Sequence, residues 1–172
     1  EDSSFFRDEA LKAAKRGDLI IARRFFRVSI LCSYSALESF VNFIADTLEK
    51  GGNLEKHELA FLSDQCFRFN TSTNDLVPKR EFQRIDDKLR FLIRLYNKNY
   101  QFSSSEWSHL VELKKFRDSI VHPRSEQDET STSEYSRRTK SGLRAVIDIM
   151  NLLSQSIFRK QLRRKILDLI PS

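Results

Sequence analysis

Between Gly17 and Gly51 the chain has neither glycine nor proline, and its apolar residues recur at helical spacing. Phe26, Ile30, Leu37, Val41, Ile44 and Leu48 stand three, four or seven residues apart, which puts them on one side of a helix. A helix over 18–50 is about 50 Å long at 1.5 Å per residue. A rod of that length with one apolar face needs other helices laid along it. The whole chain supplies only four glycines and three prolines for turning, and no segment shows sustained period-two alternation with β-branched residues. The predicted fold is therefore all-α, an up-and-down helical bundle with long second and last helices, in a single domain over residues 1–172.

The remaining elements follow from start and stop signals. Residues 3–17 read as a short helix, acidic at its start and basic at its end, stopped by Gly17. Asp18 is placed to cap the long helix, Gly51-Gly52 to end it, and Asn53 to cap a short helix over 54–63. The polar run 70–77 reads as a loop, with Pro78 in the first turn of a helix over 78–98 whose stripe is Phe82, Ile85, Leu89 and Leu92. Ser103 and Glu106 have the spacing of a capping box before the next helix. The run 124–134 is polar enough to predict a mobile loop. From about Ser133 toward Ile170, Leu143, Val146, Ile147, Met150, Leu153 and Ile157 mark the last helix. Its basic end, 158–170, reads as a packed stripe with solvated cations, and RNA contact or a membrane surface is a lesser reading of the same residues.

Charge narrows the function only slightly. Thirty Lys and Arg against 24 Asp and Glu give +6, which suits an acidic partner such as RNA without demanding one. Cys32 and Cys66 are the only cysteines and have no zinc-site spacing, so no metal and no cofactor is expected, and a reducing cytoplasmic setting is the simplest. No uninterrupted apolar run approaches the ~20 residues that cross a bilayer, and no signal-peptide core is present, so no membrane partner is expected.

The most informative stretch is 113-LKKFRDSIVHPR-124. On a helical wheel Arg117 falls within about 20° of Leu110, inside the apolar arc. A guanidinium drawn out of water requires a carboxylate, several acceptors or a ligand. On the long helix, Tyr34, Glu38 and Asn42 are one turn apart and can offer it a polar stripe. His122 precedes Pro123, which disfavours helical backbone at the histidine, so the helix should end at Val121 or His122. The negative end of the helix dipole then favours the imidazolium.

Arg117-Asp118-Ser119-Ile120-Val121-His122-Pro123 resembles the signature of the HEPN superfamily, Arg then a polar residue, with His after four to six intervening positions. The wider context, 37-LESF-40 on the long helix and 85-IDDKLRFL-92 before the motif helix, is similar too, and the likeness spans about residues 18–157. Within the superfamily the chain looks most like the predicted ribonuclease branches of bacterial conflict systems. The resemblance implies a metal-independent endoribonuclease whose motif pairs with its copy across a homodimer, in a toxin or antiviral defence setting with an antitoxin or fused effector domain as partner. Carried over to this sequence, His122 would serve as general base or acid and Arg117 would hold the scissile phosphate. Asp118 would position either one, and Glu38 would hold Arg117. The alternative within the same resemblance is a catalytically inactive HEPN module that binds RNA or a protein partner.

Other candidates carry competing structural readings. Trp107 can stack a base or, more commonly, pack against a neighbouring helix. Arg124 can add a phosphate contact or simply be solvated. His109 falls near Phe116 on the wheel and reads as packed or at an interface, and His57 reads as a surface residue.

Overall fold

The computed structural model describes residues 1–122 and 130–171, and the chain divides into two compact units, 1–37 with 99–172, and 38–98. Helices dominate both. In the first unit are α1 (Asp2–Lys15), the opening of α2 (Leu19–Gly51), α5 (Ser105–Val121), α6 (Thr132–Phe158) and the single turn α7 (Arg164–Leu167). The rest of α2 belongs to the second unit, with α3 (Lys56–Leu62), β1 (Gln65–Asn70), β2 (Asp75–Arg80) and α4 (Ile85–Tyr96).

The α1–α2 corner forms as the sequence predicts. Gly17 takes φ +83°, a conformation that costs a glycine little, and the Asp18 carboxylate accepts the Ile21 N–H at 3.1 Å to cap α2. Small residues bring the two helices close: the Ser29 hydroxyl donates to the Ser3 carbonyl at 2.6 Å, while Ala10, Ala13 and Ala22 are buried. Gly142 does the same for α5 and α6, since a Cβ there would lie 2.7 Å from a methyl of Leu113. The resulting helical core of this unit includes Phe26 and Ile30 from α2, Trp107, Leu110, Leu113 and Phe116 from α5, and Tyr135, Val146, Ile149 and Leu153 from α6.

The last helix stops sooner than its apolar stripe suggests. It ends at Phe158, where Arg159 adopts φ +57°, and the chain turns back along α6. The Ser154 hydroxyl donates to the Lys160 carbonyl at 2.7 Å and the Asn151 side chain accepts the Leu162 N–H at 3.0 Å. Two polar side chains on α6 thus satisfy the backbone of the turn, which no periodicity in 158–170 reveals. The basic end is a bend and one turn of helix rather than a continuous amphipathic helix.

The second unit contains the departure from an all-α chain. Residues 65–80 form an antiparallel hairpin where the sequence pattern suggests a loop followed by helix. The Asn70 side chain accepts the Ser72 N–H at 2.9 Å and Asn74 takes φ +54°, so local asparagine chemistry makes the turn. Pro78 is tolerated because a two-stranded ribbon consists only of edge strands. Helix α4 therefore starts at Ile85, and Phe82 lies outside its stripe, 74% exposed. Glu55 rather than Asn53 begins α3, through a reciprocal capping box with Glu58. Asp64, at φ +57°, ties the hairpin to α4: its carboxylate accepts the nearly fully buried Lys88 ammonium and the Gln83 N–H, each at 2.8 Å.

Helix α2 is long and apolar enough to cross a membrane by length and composition. Phe26, Ile30, Leu37, Val41 and Ile44 on it are fully buried.

Candidate functional site

Helix α5 presents the motif. The Ser104 hydroxyl accepts the Trp107 N–H at 3.3 Å, which starts the helix one residue later than the expected box of Ser103 and Glu106. Its buried side is the row Trp107, Leu110, Leu113 and Phe116, and at about 100° per residue Arg117 points near the middle of that arc. The inward arginine has the partners its burial requires. One guanidinium nitrogen donates to Asp118 Oδ1 at 3.0 Å, and the guanidinium carbon sits 4.9 Å from the ring centre of Tyr34. Such a stack is worth about 0.5–2 kcal/mol depending on desolvation. The Arg117 side chain remains 29% accessible, so bracing has not removed it from solvent.

Asp118 joins two cations. Lys114, one turn earlier, donates to its other oxygen at 3.1 Å. Burial pushes the Asp118 carboxyl up, but the hydrogen bonds from Lys114 and Arg117 outweigh burial and hold it below the usual carboxylate range. The group is a fixed carboxylate at neutral pH. His122 caps the other end of α5: its backbone N–H donates to the Asp118 carbonyl at 2.9 Å and its imidazole is exposed. Asp118 thus touches Arg117 through its side chain and His122 through its backbone. Glu38 is half-buried on α2, one turn past Tyr34. Arg124 and Pro123, with most of the polar run 124–134, lie outside the described residues.

Tyr34 belongs to the stripe that the sequence offers to Arg117, Lys114 was not singled out, and the aromatic group behind the motif was not legible at all. The Tyr135 ring lies 4.8 Å from Phe116 and 6.5 Å from Phe26, and its hydroxyl accepts a hydrogen bond from Arg27 Nε at 3.0 Å. Arg138 stacks 4.6 Å from the Phe116 ring centre while bonded to Glu134 at 2.6 Å. Glu134 is held down to about 2 by hydrogen bonds from Arg137 and Arg138. These contacts fix the α5 face next to Arg117 from α2 and α6.

Trp107 takes the packing role: it is 3% exposed and meets Phe102 edge-on at 4.8 Å, so its ring is closed to a stacking base. His109 is half-buried and His57 is exposed. Among the described residues, no three His, Cys, Asp or Glu side chains are grouped as metal ligands would be. No family model, curated protein or solved structure matches the chain.

Proposed function

We propose that this protein is a HEPN-type endoribonuclease that cleaves RNA by attack of a ribose 2′-hydroxyl on the adjacent phosphate, in a site completed by a second copy of the chain. The observation that supports this reading is Arg117: a guanidinium placed on the buried side of α5, braced by Asp118 and Tyr34, still open to solvent, five residues before an exposed helix-end imidazole. In the proposed reaction one imidazole takes the 2′-hydroxyl proton and the oxygen bonds to phosphorus. The bond from phosphorus to the 5′-oxygen breaks, and an imidazolium supplies the proton to that leaving oxygen. The products are a 2′,3′-cyclic phosphate and a 5′-hydroxyl. Because the nucleophile is internal to the RNA, attack does not depend on metal-activated water. In-line displacement separates the entering and leaving oxygens, and each chain has one motif histidine, so a two-fold partner supplies the second. Arg117 matches two phosphate oxygens and gains as their charge grows.

In this proposal the setting is a toxin or defence system, with an antitoxin or fused effector as partner. His122→Ala should lower cleavage by about 10²–10⁴-fold, the usual worth of a positioned acid or base, with Tm unchanged. Arg117→Ala should lose activity and some stability together, since Asp118 and Tyr34 each lose one contact. The assay is gel analysis of diverse RNAs with end-group determination, alongside growth of cells expressing each variant. Equal cleavage by wild type and His122→Ala, or none by either, rejects the enzyme. A second reading, a non-catalytic module for RNA or a protein, draws on Asp118 already occupying part of the Arg117 guanidinium. Wild-type toxicity relieved by His122→Ala would reject it.

A further inference from the structure

Charge is shared unevenly along the chain. Residues 38–98, which include the hairpin with its exposed Phe67, Phe69 and Leu76, hold as many Lys and Arg as Asp and Glu and so have no net charge. The ten residues 159–168 hold Arg159, Lys160, Arg163, Arg164 and Lys165 against Asp168 alone, a net +4 out of the chain's +6. On a continuous helix those cations would be spread around a cylinder at about 100° per residue. The bend after α6 confines them instead to one turn and the short α7, folded back on α6.

The turn is held through its backbone, which leaves the charged ends open to solvent. Ser154 and Asn151 of α6 bond the Lys160 carbonyl and the Leu162 N–H, and Pro171 is buried just beyond. All five cationic residues are exposed, the Arg164 and Lys165 side chains to 88% and 73%. Arg164 donates to Asp168 at 2.8 Å and Lys165 meets Glu1 at 2.5 Å. Arg159, Lys160 and Arg163 pair with no carboxylate among the described residues, so the cations outnumber the carboxylates they meet by five to two. Among and just after them, Leu162, Ile166, Leu167, Leu169 and Ile170 are only half-buried.

We infer that this turn docks the protein on an anionic lipid surface. Clustered Lys and Arg are drawn to the negative potential of such a surface, each strengthening binding by about fivefold. Long side chains open to water suit a broad field of phosphates rather than one compact anion, which needs donors converging on a point. The half-buried residues beside the cations are aliphatic, and no aromatic residue lies in 159–168, so the turn offers nothing on which a nucleic-acid base stacks. The four residues of α7 are also too few to lie along a groove as reading helices do. A headgroup layer presents negative charge with apolar chains beneath it, the combination that exposed cations and partly open aliphatic side chains match. The contact is with the surface and crosses no bilayer. It is independent of the ribonuclease reading and involves neither Arg117 nor His122.

The test uses the full chain and phosphatidylcholine vesicles with or without phosphatidylserine, with bound protein read by co-sedimentation. Wild type should sediment with the phosphatidylserine vesicles and stay in solution with phosphatidylcholine alone. Raising salt from ~0.1 M to ~1 M shortens the screening length from about 10 Å to about 3 Å and should release it, a reading that needs no variant. Arg159→Gln/Lys160→Gln/Arg163→Gln removes the three cations without a carboxylate and should weaken binding by roughly 100-fold. Arg24→Gln/Lys50→Gln/Lys98→Gln makes the same change in net charge at exposed positions elsewhere and should lose less than about fivefold. Arg159→Lys/Arg163→Lys keeps the charge and should bind as wild type does. Circular dichroism checks that each variant is folded. The inference is overturned if wild type ignores phosphatidylserine or stays bound at high salt, or if the first triple variant binds as wild type does. Equal losses in the two triple variants overturn it in favour of net charge alone, and loss in the lysine variant overturns it in favour of a shaped guanidinium site. Tighter binding to a labelled RNA than to vesicles at equal phosphate concentration, lost in the first triple variant, overturns it in favour of nucleic acid.

Discussion

Phe116 on α5 and Phe82 after β2 each lie under an arginine, at the same 4.6 Å from guanidinium to ring centre, yet one is 5% exposed and the other 74%. The geometry of the pair is the same and its consequence differs. Around Phe116, three elements converge, so Arg138 closes a core already filled by Tyr135 and Phe26. Around Phe82 and the hairpin there is a ribbon with an uncovered face, and the same pairing leaves its ring available to another molecule. Burial of neighbouring groups, rather than the pair itself, decides whether such a stack is structural or interactive.

The sharpest way to break this comparison is to make one substitution in both places. Phe116→Ala should cost about 3–5 kcal/mol in urea unfolding, while Phe69→Ala should stay within about 0.5 kcal/mol. Similar costs at the two sites would show that the hairpin face is covered. Next, Asp64→Ala leaves the Lys88 ammonium buried without its carboxylate, and about 3 kcal/mol should be lost from the hairpin-bearing unit, read by hydrogen exchange at α4. Retained protection there would show that the pair is not what holds the hairpin to α4. Gly142→Val should then cost about 2 kcal/mol, because a Cβ there already lies 2.7 Å from a Leu113 methyl where α5 and α6 approach.

The smallest effect is on pH dependence. Asp118 and Glu134 both have depressed pKa values in the folded chain, so each favours folding as a carboxylate. Their contribution is fully present above the ordinary values of 3.8 and 4.5, and Glu134's is lost as pH falls through about 2. Tm should decline over that acid range, and Glu134→Gln should make the decline shallower. An unchanged slope would mean that the Glu134 bridges contribute nothing to folding, as many exposed pairs do.

Much of the helical part was legible because its signals are local. Asp18 and Gly17 at the α1–α2 corner, the α2 stripe and the inward position of Arg117 all follow from about 100° of rotation per residue and from capping chemistry. The hairpin was not legible, since its alternation is confined to Phe67-Arg68-Phe69-Asn70, has no β-branched residues and is not repeated in 75–80, and its apolar residues are exposed. The Asn70 and Asn74 turn was the available signal, and Pro78 suggested a helix start instead. Within the candidate site, Lys114 with Asp118 has readable i, i+4 spacing. Tyr135 between Arg27 and Phe116 joins residues more than a hundred positions apart from Arg27 to Tyr135, and no local rule brings them together.

By itself, then, the sequence determined that long helices form, where most begin, that Arg117 turns toward the apolar side and that His122 closes its helix. Those outcomes depend on backbone geometry and on neighbours within a turn or two. Only the tertiary structure decided that the Tyr34 ring of a distant helix lies against Arg117, whose guanidinium also bonds its sequence neighbour Asp118. It also decided which aromatic rings are covered, because burial is a property of segments brought together in space rather than of the residues that carry the rings.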